Sequence, residues 1–274
     1  MTNPTQPLLL VAGSGQYPRL LIAAARSSGV SRICLAAFHG ETDPSLEPLV
    51  EETRWLRVGQ LSALVQFARN SRCTNAIFAG QIAPKNLFDL RPDFRALFLL
   101  AKIKRRNAES LFSAVADEIQ SAGCHVLPAT TYLQDHLAPT GHFAGPKPKQ
   151  RTIDDFLFGF EIAKKISQSD IGQTVIVKNG TVLAVEAFEG TNECIRRGGS
   201  LSNGKAVMVK VSKPNQDMRF DVPVIGTHTL QVASQSNISA IAIEAEKTLI
   251  LDKPIVCSEA NRLQITLFGI SSNP

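Results

Sequence analysis

Leu8-Leu-Leu-Val-Ala12 is a continuous apolar run, the pattern of a strand buried on both faces. Gly13-Ser-Gly-Gln-Tyr-Pro18 follows, then a helical pattern to about Ser28, with Pro18 suited to the first turn and Gly29 to the stop. The same alternation continues: strands over Arg32–Ala37 and Trp55–Val58, a helix over Leu61–Arg69, a strand over Asn75–Ala79. Gly80–Pro92 reads as a loop, Phe94–Ile103 and Ala108–Ser121 as helices, and Cys124–Pro128 as one more buried strand. Strands alternating with helices imply right-handed βαβ units and a parallel sheet.

The pattern changes after Leu137. Residues 138–150 are rich in Pro, Gly and Lys and read as a linker between an N-terminal Rossmann-like α/β domain (1–137) and a C-terminal α/β domain (151–274). In the second part Ile153–Ser167 has helical periodicity. Thr174–Val177 and Val182–Ala187 flank Asn179-Gly180, a strong hairpin signal. Strands are expected at Ala206–Val211, Ala240–Ile243, Thr248–Leu251 and Gln264–Phe268, with helices at His228–Ser236 and near Lys253–Asn261. The fold class is thus α/β in two domains, the first a parallel sheet and the second a mixed sheet with helices.

Composition narrows the class. Hydrophobic residues are 44% of the 274 and charged residues 19%, below the usual ~25%, so the surface is poor in charge and leaves room for an apolar site. A net charge of +5 favours an anionic partner. Aromatics at 6% are few for base-stacking platforms, and no nucleic-acid partner is expected. The five Cys are scattered and odd in number, which fits a reducing compartment. The opening Met1–Pro7 lacks a basic segment, Leu8–Ala12 is too short for a signal peptide, and no run reaches the ~18 apolar residues of a membrane span. A cytoplasmic protein, soluble or peripheral on a membrane, is expected. Oligomeric state stays open, a homodimer being the commonest closed assembly.

Several chemistries are excluded by motif. There is no G-x-x-x-x-G-K-[ST], no G-x-S-x-G, no C-x-x-C and no His pair at metal spacing. Gly13-Ser14-Gly15 opens a dinucleotide-like turn, but the third glycine is missing and the second strand ends at Phe38-His39 without a ribose-binding acid. A NAD-linked oxidoreductase is the weaker reading of that turn. The basic run Lys102-Ile-Lys-Arg-Arg106 is either a solvated helix end or a contact for anionic lipid head groups.

Charge is dense in three stretches of the second part. Glu186-Ala-Phe-Glu189-Gly190-Thr191-Asn192 ends an apolar strand with two carboxylates. Lys210-Val-Ser-Lys213-Pro-Asn-Gln216-Asp217 ends another with two lysines. In Arg219-Phe-Asp221-Val-Pro223, alternation in an extended segment would put Arg219 and Asp221 on one side. Lys and Arg suit a diphosphate, and carboxylates suit Mg²⁺ or the activation of water.

These residues carry a resemblance. The chain resembles the UDP-2,3-diacylglucosamine pyrophosphatases of the LpxI type nearly end to end. The resemblance runs through Val11–Gly15, Phe78–Gln81, Leu90–Asp93, Ala184–Thr191, Val209–Asp217, Arg219–Gly226 and Ile241–Ala245. It implies two α/β domains, Mg²⁺ as cofactor, and hydrolysis of a lipid-linked nucleotide sugar in the lipid A synthesis of Gram-negative bacteria. The products would be 2,3-diacylglucosamine 1-phosphate (lipid X) and UMP, with water attacking the sugar-side phosphorus. The family's essential aspartate falls on Asp221. On this reading Lys210, Lys213 and Arg219 bind the phosphates, and Asp221 either handles the water or binds the metal, with Glu189 as the next metal candidate. Gly13, Ser14, Gly15, Gly80, Gln81, Gly190, Thr191 and Gln216 face the substrate. Two departures stand out: Asn192 replaces the family's usual Asp, and Arg106-Asn-Ala-Glu109 replaces a usual Gly-Asp-Asp. They suggest the second alternative, a catalytically inactive nucleotide-sugar-lipid binding protein.

Overall fold

The computed structural model describes residues 6–82, 92–103, 108–214 and 216–271. Its contacts divide the chain into two units, one comprising Met1–Leu133 with Asp217–Asp221, the other Gln134–Gln216 with Val222–Pro274.

In the first unit β1 (Leu8–Ala12), β2 (Ile33–Phe38), β3 (Glu52–Leu56), β4 (Asn75–Ala79) and β5 (His125–Val126) form a sheet of order β3-β2-β1-β4-β5. Every neighbouring pair is parallel. All residues of β1, β2 and β4 are buried, as strands covered on both faces must be, whereas the edge strand β3 is partly exposed. The described helices are α1 (Tyr17–Ser27), α2 (Leu61–Ser71), α3 (Phe94–Lys102) and α4 (Ala108–Ser121). The core on one side joins Leu9, Phe78, Leu64, Phe67 and Ile119, and Phe220 packs against it. Its ring lies edge-on to Phe78 at 6.4 Å and tilted against Phe112 at 5.9 Å. The Ala129 amide donates to the Met218 carbonyl at 2.8 Å, a second tie between the 217–221 segment and this unit.

The second unit is a mixed sheet of order β6-β13-β11-β9-β7-β8. Its strands are β6 (Gly141–Ala144), β7 (Thr174–Lys178), β8 (Thr181–Val185), β9 (Ala206–Lys210), β11 (Ile238–Glu244) and β13 (Thr266–Ile270). The central β9, β11 and β13 are parallel, and β6, β7 and β8 are antiparallel to their neighbours. A short parallel pair, β10 (Val224–Ile225) and β12 (Leu249–Ile250), stands apart. Side-chain alternation splits the core into two layers. Val175, Val177, Val207 and Val209 pack with Phe156 and Ala163 of α5 (Gln150–Gln168). Ile176, Met208, Ile241 and Ile243 face the other helices, α6 (Thr191–Leu201), α7 (Thr227–Gln235) and α8 (Lys253–Leu263).

The expected hairpin is present. Asn179 and Gly180 both have positive φ, and their amides donate to the Asp155 carboxylate at 2.9 and 2.7 Å. The 138–150 stretch behaves differently from a linker. The chain enters the second unit at Gln134, and Gly141–Ala144 forms the edge strand β6 against β13. Pro139 and Pro146 flank that strand without interrupting its ladder, so composition concealed it. Helix α6 was also hidden, because Gly198 and Gly199 stand on its buried face where larger apolar side chains would have marked it; they allow close approach to Ile176 and Ser236.

Two further glycines position the first unit's strand ends. A Cβ on Gly13 would lie 2.3 Å from the Gln81 carbonyl oxygen, and one on Gly80, at φ +92°, 2.6 Å from the Ser14 oxygen. Both obstacles are backbone atoms. Gly80→Ala should therefore destabilise the fold by more than about 2 kcal/mol, combining backbone strain with overpacking. Gly40→Ala, at φ +80° in open space, should show the strain alone. Urea denaturation of both variants checks this; equal losses would remove the clash from the account.

Candidate active site

In the first unit the sheet order reverses direction between β1 and β4, and crevices at such points are where α/β sheets bind ligands. Here the two strand-end loops are zipped together. The Gly13 amide donates to the Ala79 carbonyl at 2.8 Å, Ser14 N to Gln81 O at 2.7 Å, and Gln81 N to Ser14 O at 3.2 Å. Ser14 Oγ adds a bond to Gln81 O at 2.9 Å. Gly13, Ser14, Gly80 and Gln81 thus stand together, and the missing third glycine is explained. Their spacing serves loop-to-loop contact, unlike a dinucleotide fingerprint. Gly15, at φ +89°, has open space beside it.

An apolar cavity of ≈ 100 Å³ adjoins these strand ends, lined by Val11, Phe38, Leu64, Phe78, Leu99 and Phe112 among others. Asp93 holds its wall in place: one carboxylate oxygen accepts from Ala96 N (2.9 Å) at the start of α3, the other from Ser62 N (2.7 Å) at the start of α2.

The 217–221 segment is a turn, which corrects the expectation of an extended strand. The Asp217 carbonyl accepts from Phe220 N at 3.3 Å and Asp221 N at 3.0 Å, so residues two apart do not share a side. Arg219 is held by the Asp217 carboxylate through Nε (3.0 Å) and Nη2 (2.6 Å), and its Nη1 lies 3.5 Å from Asp117. The Arg219 bond keeps the Asp217 carboxyl below the usual carboxylate range, and Asp217 raises Arg219 in turn. Asp221 is half-buried in the same turn.

The second unit gathers its charge at the ends of β9 and β11. The buried Lys210 ammonium donates to Thr191 Oγ1 (2.9 Å), whose hydroxyl donates to Glu186 Oε1 (2.8 Å). Glu189, the carboxylate selected from the sequence, is instead engaged by Arg197 Nη2 at 2.5 Å and by the Ala187 amide at 3.2 Å. The Arg197 bond holds its carboxyl below the ordinary range. Glu186, not Glu189, is the carboxylate joined to Lys210 through Thr191. Burial marks it: Glu186 is 8% exposed. Gly190, at φ +82°, caps α6 and delivers Thr191 to this chain of bonds. Lys213 pairs with Asp170, and its amide donates to Gln216 Oε1 at 2.7 Å.

A second cluster went unread in the sequence. Glu244, at the end of β11, has a fully buried carboxylate bonded to Lys164, Lys247 and Ser212. A single acid closing an otherwise apolar strand was the available signal, since buried charges are paired. Leu90, Arg91, positions 104–107 and Asn215 lie outside the described residues.

Among the described residues no group of three or more His, Cys, Asp or Glu is arranged to hold a metal ion. Mg²⁺ asks less, being held by one or two carboxylates with phosphate oxygens and waters. Of the two carboxylates assigned to it from the sequence, Glu189 is engaged by Arg197 and Asp221 lies half-buried in the 217–221 turn.

Open α/β sheets bind ligands at their strand ends, and the second unit gathers cations and carboxylates there, a chemistry suited to phosphate groups. Comparison with known proteins sharpens this. Residues 7–136 match the LpxI N-terminal domain and residues 139–268 the LpxI C-terminal domain. The chain belongs to the LpxI family. A protein of Caulobacter vibrioides named UDP-2,3-diacylglucosamine pyrophosphatase LpxI is 28% identical over 272 residues, 95% of this chain and 96% of its own length. Among solved structures, the biotin carboxylase domain of Hydrogenobacter thermophilus 2-oxoglutarate carboxylase gives a TM-score of 0.28 at 14% identity, over 64% of this chain and 35% of its own, too slight a likeness to bear on the fold.

The Arg219–Asp217 pair has a pH signature. Asp217 has a depressed folded-state pKa, so the pair stabilises above the ordinary carboxylate range and is lost as pH falls through the folded value. The stability difference between wild type and Arg219→Met should shrink from about pH 6 to about pH 3. Urea denaturation at the two pH values measures it, and an unchanged difference would contradict the shift.

Proposed function

We propose that this chain hydrolyses the diphosphate of UDP-2,3-diacylglucosamine in lipid A biosynthesis, releasing UMP and 2,3-diacylglucosamine 1-phosphate. The observation that carries this is family membership over nearly the whole chain, with a full-length relative of that name. An inactive binding protein and a NAD-linked oxidoreductase are not favoured by it.

In the proposed reaction the water oxygen bonds to the sugar-side phosphorus, and the bridging oxygen leaves with UMP. Lys210, Lys213 and Arg219 meet the diphosphate charge with charge-assisted hydrogen bonds. For Lys213 and Arg219 this means exchanging their present carboxylate partners, Asp170 and Asp217, for phosphate oxygens. Asp221 takes one of two roles, accepting the water's proton or holding Mg²⁺. The ion, when bound, supplies charge neutralisation on the phosphates. The apolar cavity of the first unit receives part of an acyl chain, and its wall of aliphatic and aromatic side chains supports that reading.

Asp221→Ala should abolish UMP release while leaving the far-UV circular dichroism unchanged. In ¹⁸O water, label should appear on the sugar phosphate and not in UMP, and EDTA should stop the reaction. Turnover near wild type in the variant, or label in UMP, would defeat the assignment.

A lipid substrate places the protein at the cytoplasmic face of the inner membrane, bound peripherally; no helix among the described residues is long and apolar enough to cross one. Helix α3 supports the surface contact. Phe94, Leu97 and Phe98 share one face and are 91%, 49% and 63% exposed, and the Lys102 ammonium sits 4.2 Å over the Phe98 ring. Replacing Phe94 and Phe98 with Ser should weaken binding to anionic vesicles at least about tenfold, the loss expected when partly buried aromatic surface is removed. Turnover of detergent-dispersed substrate should be retained. Vesicle co-sedimentation reads the effect, and unchanged binding would rule out α3 as the contact.

A further inference from the structure

Glu244 ends β11 with no exposed side-chain surface. Its carboxylate accepts from Lys164 Nζ at 2.8 and 2.6 Å, Lys247 Nζ at 2.9 Å, Ser212 N at 2.7 Å and Ser212 Oγ at 2.8 Å. Lys164 Nζ also donates to the Ser212 carbonyl at 2.9 Å. The amide, hydroxyl and carbonyl of Ser212 are therefore all bound by the Glu244–Lys164 pair.

Ser212 lies between Lys210 and Lys213, the two lysines assigned to the diphosphate. With Ser212 held at three atoms, the chain must leave β9 along one course, which sets where Lys213 and the Gln216-capped turn stand. The backbone of Glu244 also reaches a second loop. The Thr248 amide donates to the Glu244 carbonyl at 3.1 Å, closing the turn that delivers β12, and Leu249 N then donates to Pro223 O at 2.8 Å. Pro223 is two residues beyond Asp221 in the chain. One residue thus ties down both anchor points, the exit from β9 through its buried carboxylate and the turn into β12 through its main-chain carbonyl.

We propose that Glu244, through Lys164 and Ser212, is the positioning residue for the phosphate-binding lysines. The proposal rests on the hydrolase reading and deepens it. Replacing both members with apolar groups of similar volume can preserve or raise stability, whereas removing one leaves the other's charge uncompensated. That contrast separates positioning from mere support.

The test uses the full-length protein as wild type, Glu244→Gln and the double variant Lys164→Met with Glu244→Leu. Three quantities are read: melting temperature, kcat and KM for UMP release, and the affinity for inorganic pyrophosphate with Mg²⁺ by calorimetry. Glu244→Gln should raise KM and weaken pyrophosphate binding at least tenfold. The double variant should recover the melting temperature but keep both defects. Recovery of KM and pyrophosphate affinity along with stability would overturn the proposal, leaving the pair a purely structural role. Wild-type affinity in Glu244→Gln would overturn it too. Absence of UMP release by wild type would defeat the hydrolase reading instead; the pyrophosphate comparison would then decide the positioning claim by itself.

Discussion

A charged group at the end of a buried strand has to find its partners within the protein, and the second unit is organised around meeting that demand twice. At the end of β9 the Lys210 ammonium is joined through Thr191 to Glu186. At the end of β11 Glu244 is met by two lysines and a serine. Each set draws a different element to the sheet edge: the first brings the start of α6, the second brings α5 and the loop after β9. Removing one member would leave a desolvated charge, which is why such clusters tolerate little change. The chemistry proposed for the site and the stability of the fold therefore share the same atoms.

The first unit meets a different constraint. Its strand-end loops approach so closely that side chains at Gly13 and Gly80 would collide with backbone. A glycine-rich turn after a first strand usually leaves amides free for a phosphate. Here the Gly13 amide is bonded to Ala79 at the end of β4 and the Ser14 amide to Gln81 just beyond it, while Gly15 has open space beside it. The apolar cavity reaches the same edge at Gly13.

Much of this architecture was legible in the sequence because it follows from burial pattern. The unbroken apolar runs of β1, β2 and β4 and the Asn179-Gly180 hairpin were read from residue types alone. What escaped was whatever depended on packing partners far along the chain. Helix α6 owes its place to two glycines pressed on Ile176 and Ser236, which no periodicity displays. Strand β6 was masked by flanking prolines. Of the two acids in Glu186–Glu189, spacing could not say which was buried; in the fold Glu186 is buried against Thr191 while Glu189 pairs with Arg197. The alternation of Arg219 and Asp221 suggested a strand, but the Phe220 ring, placed against Phe78 and Phe112, belongs to a turn.

That ring has a consequence for how such a protein can be taken apart. Residues 217–221 belong to the first unit although the chain on either side belongs to the second. The N-terminal half, if severed near residue 136, would lose an aromatic plug from its own core together with the aspartate beside it. The two halves are consequently not interchangeable cassettes. A hybrid joining the first half of one relative to the second half of another would have to match Phe220 to a foreign pocket.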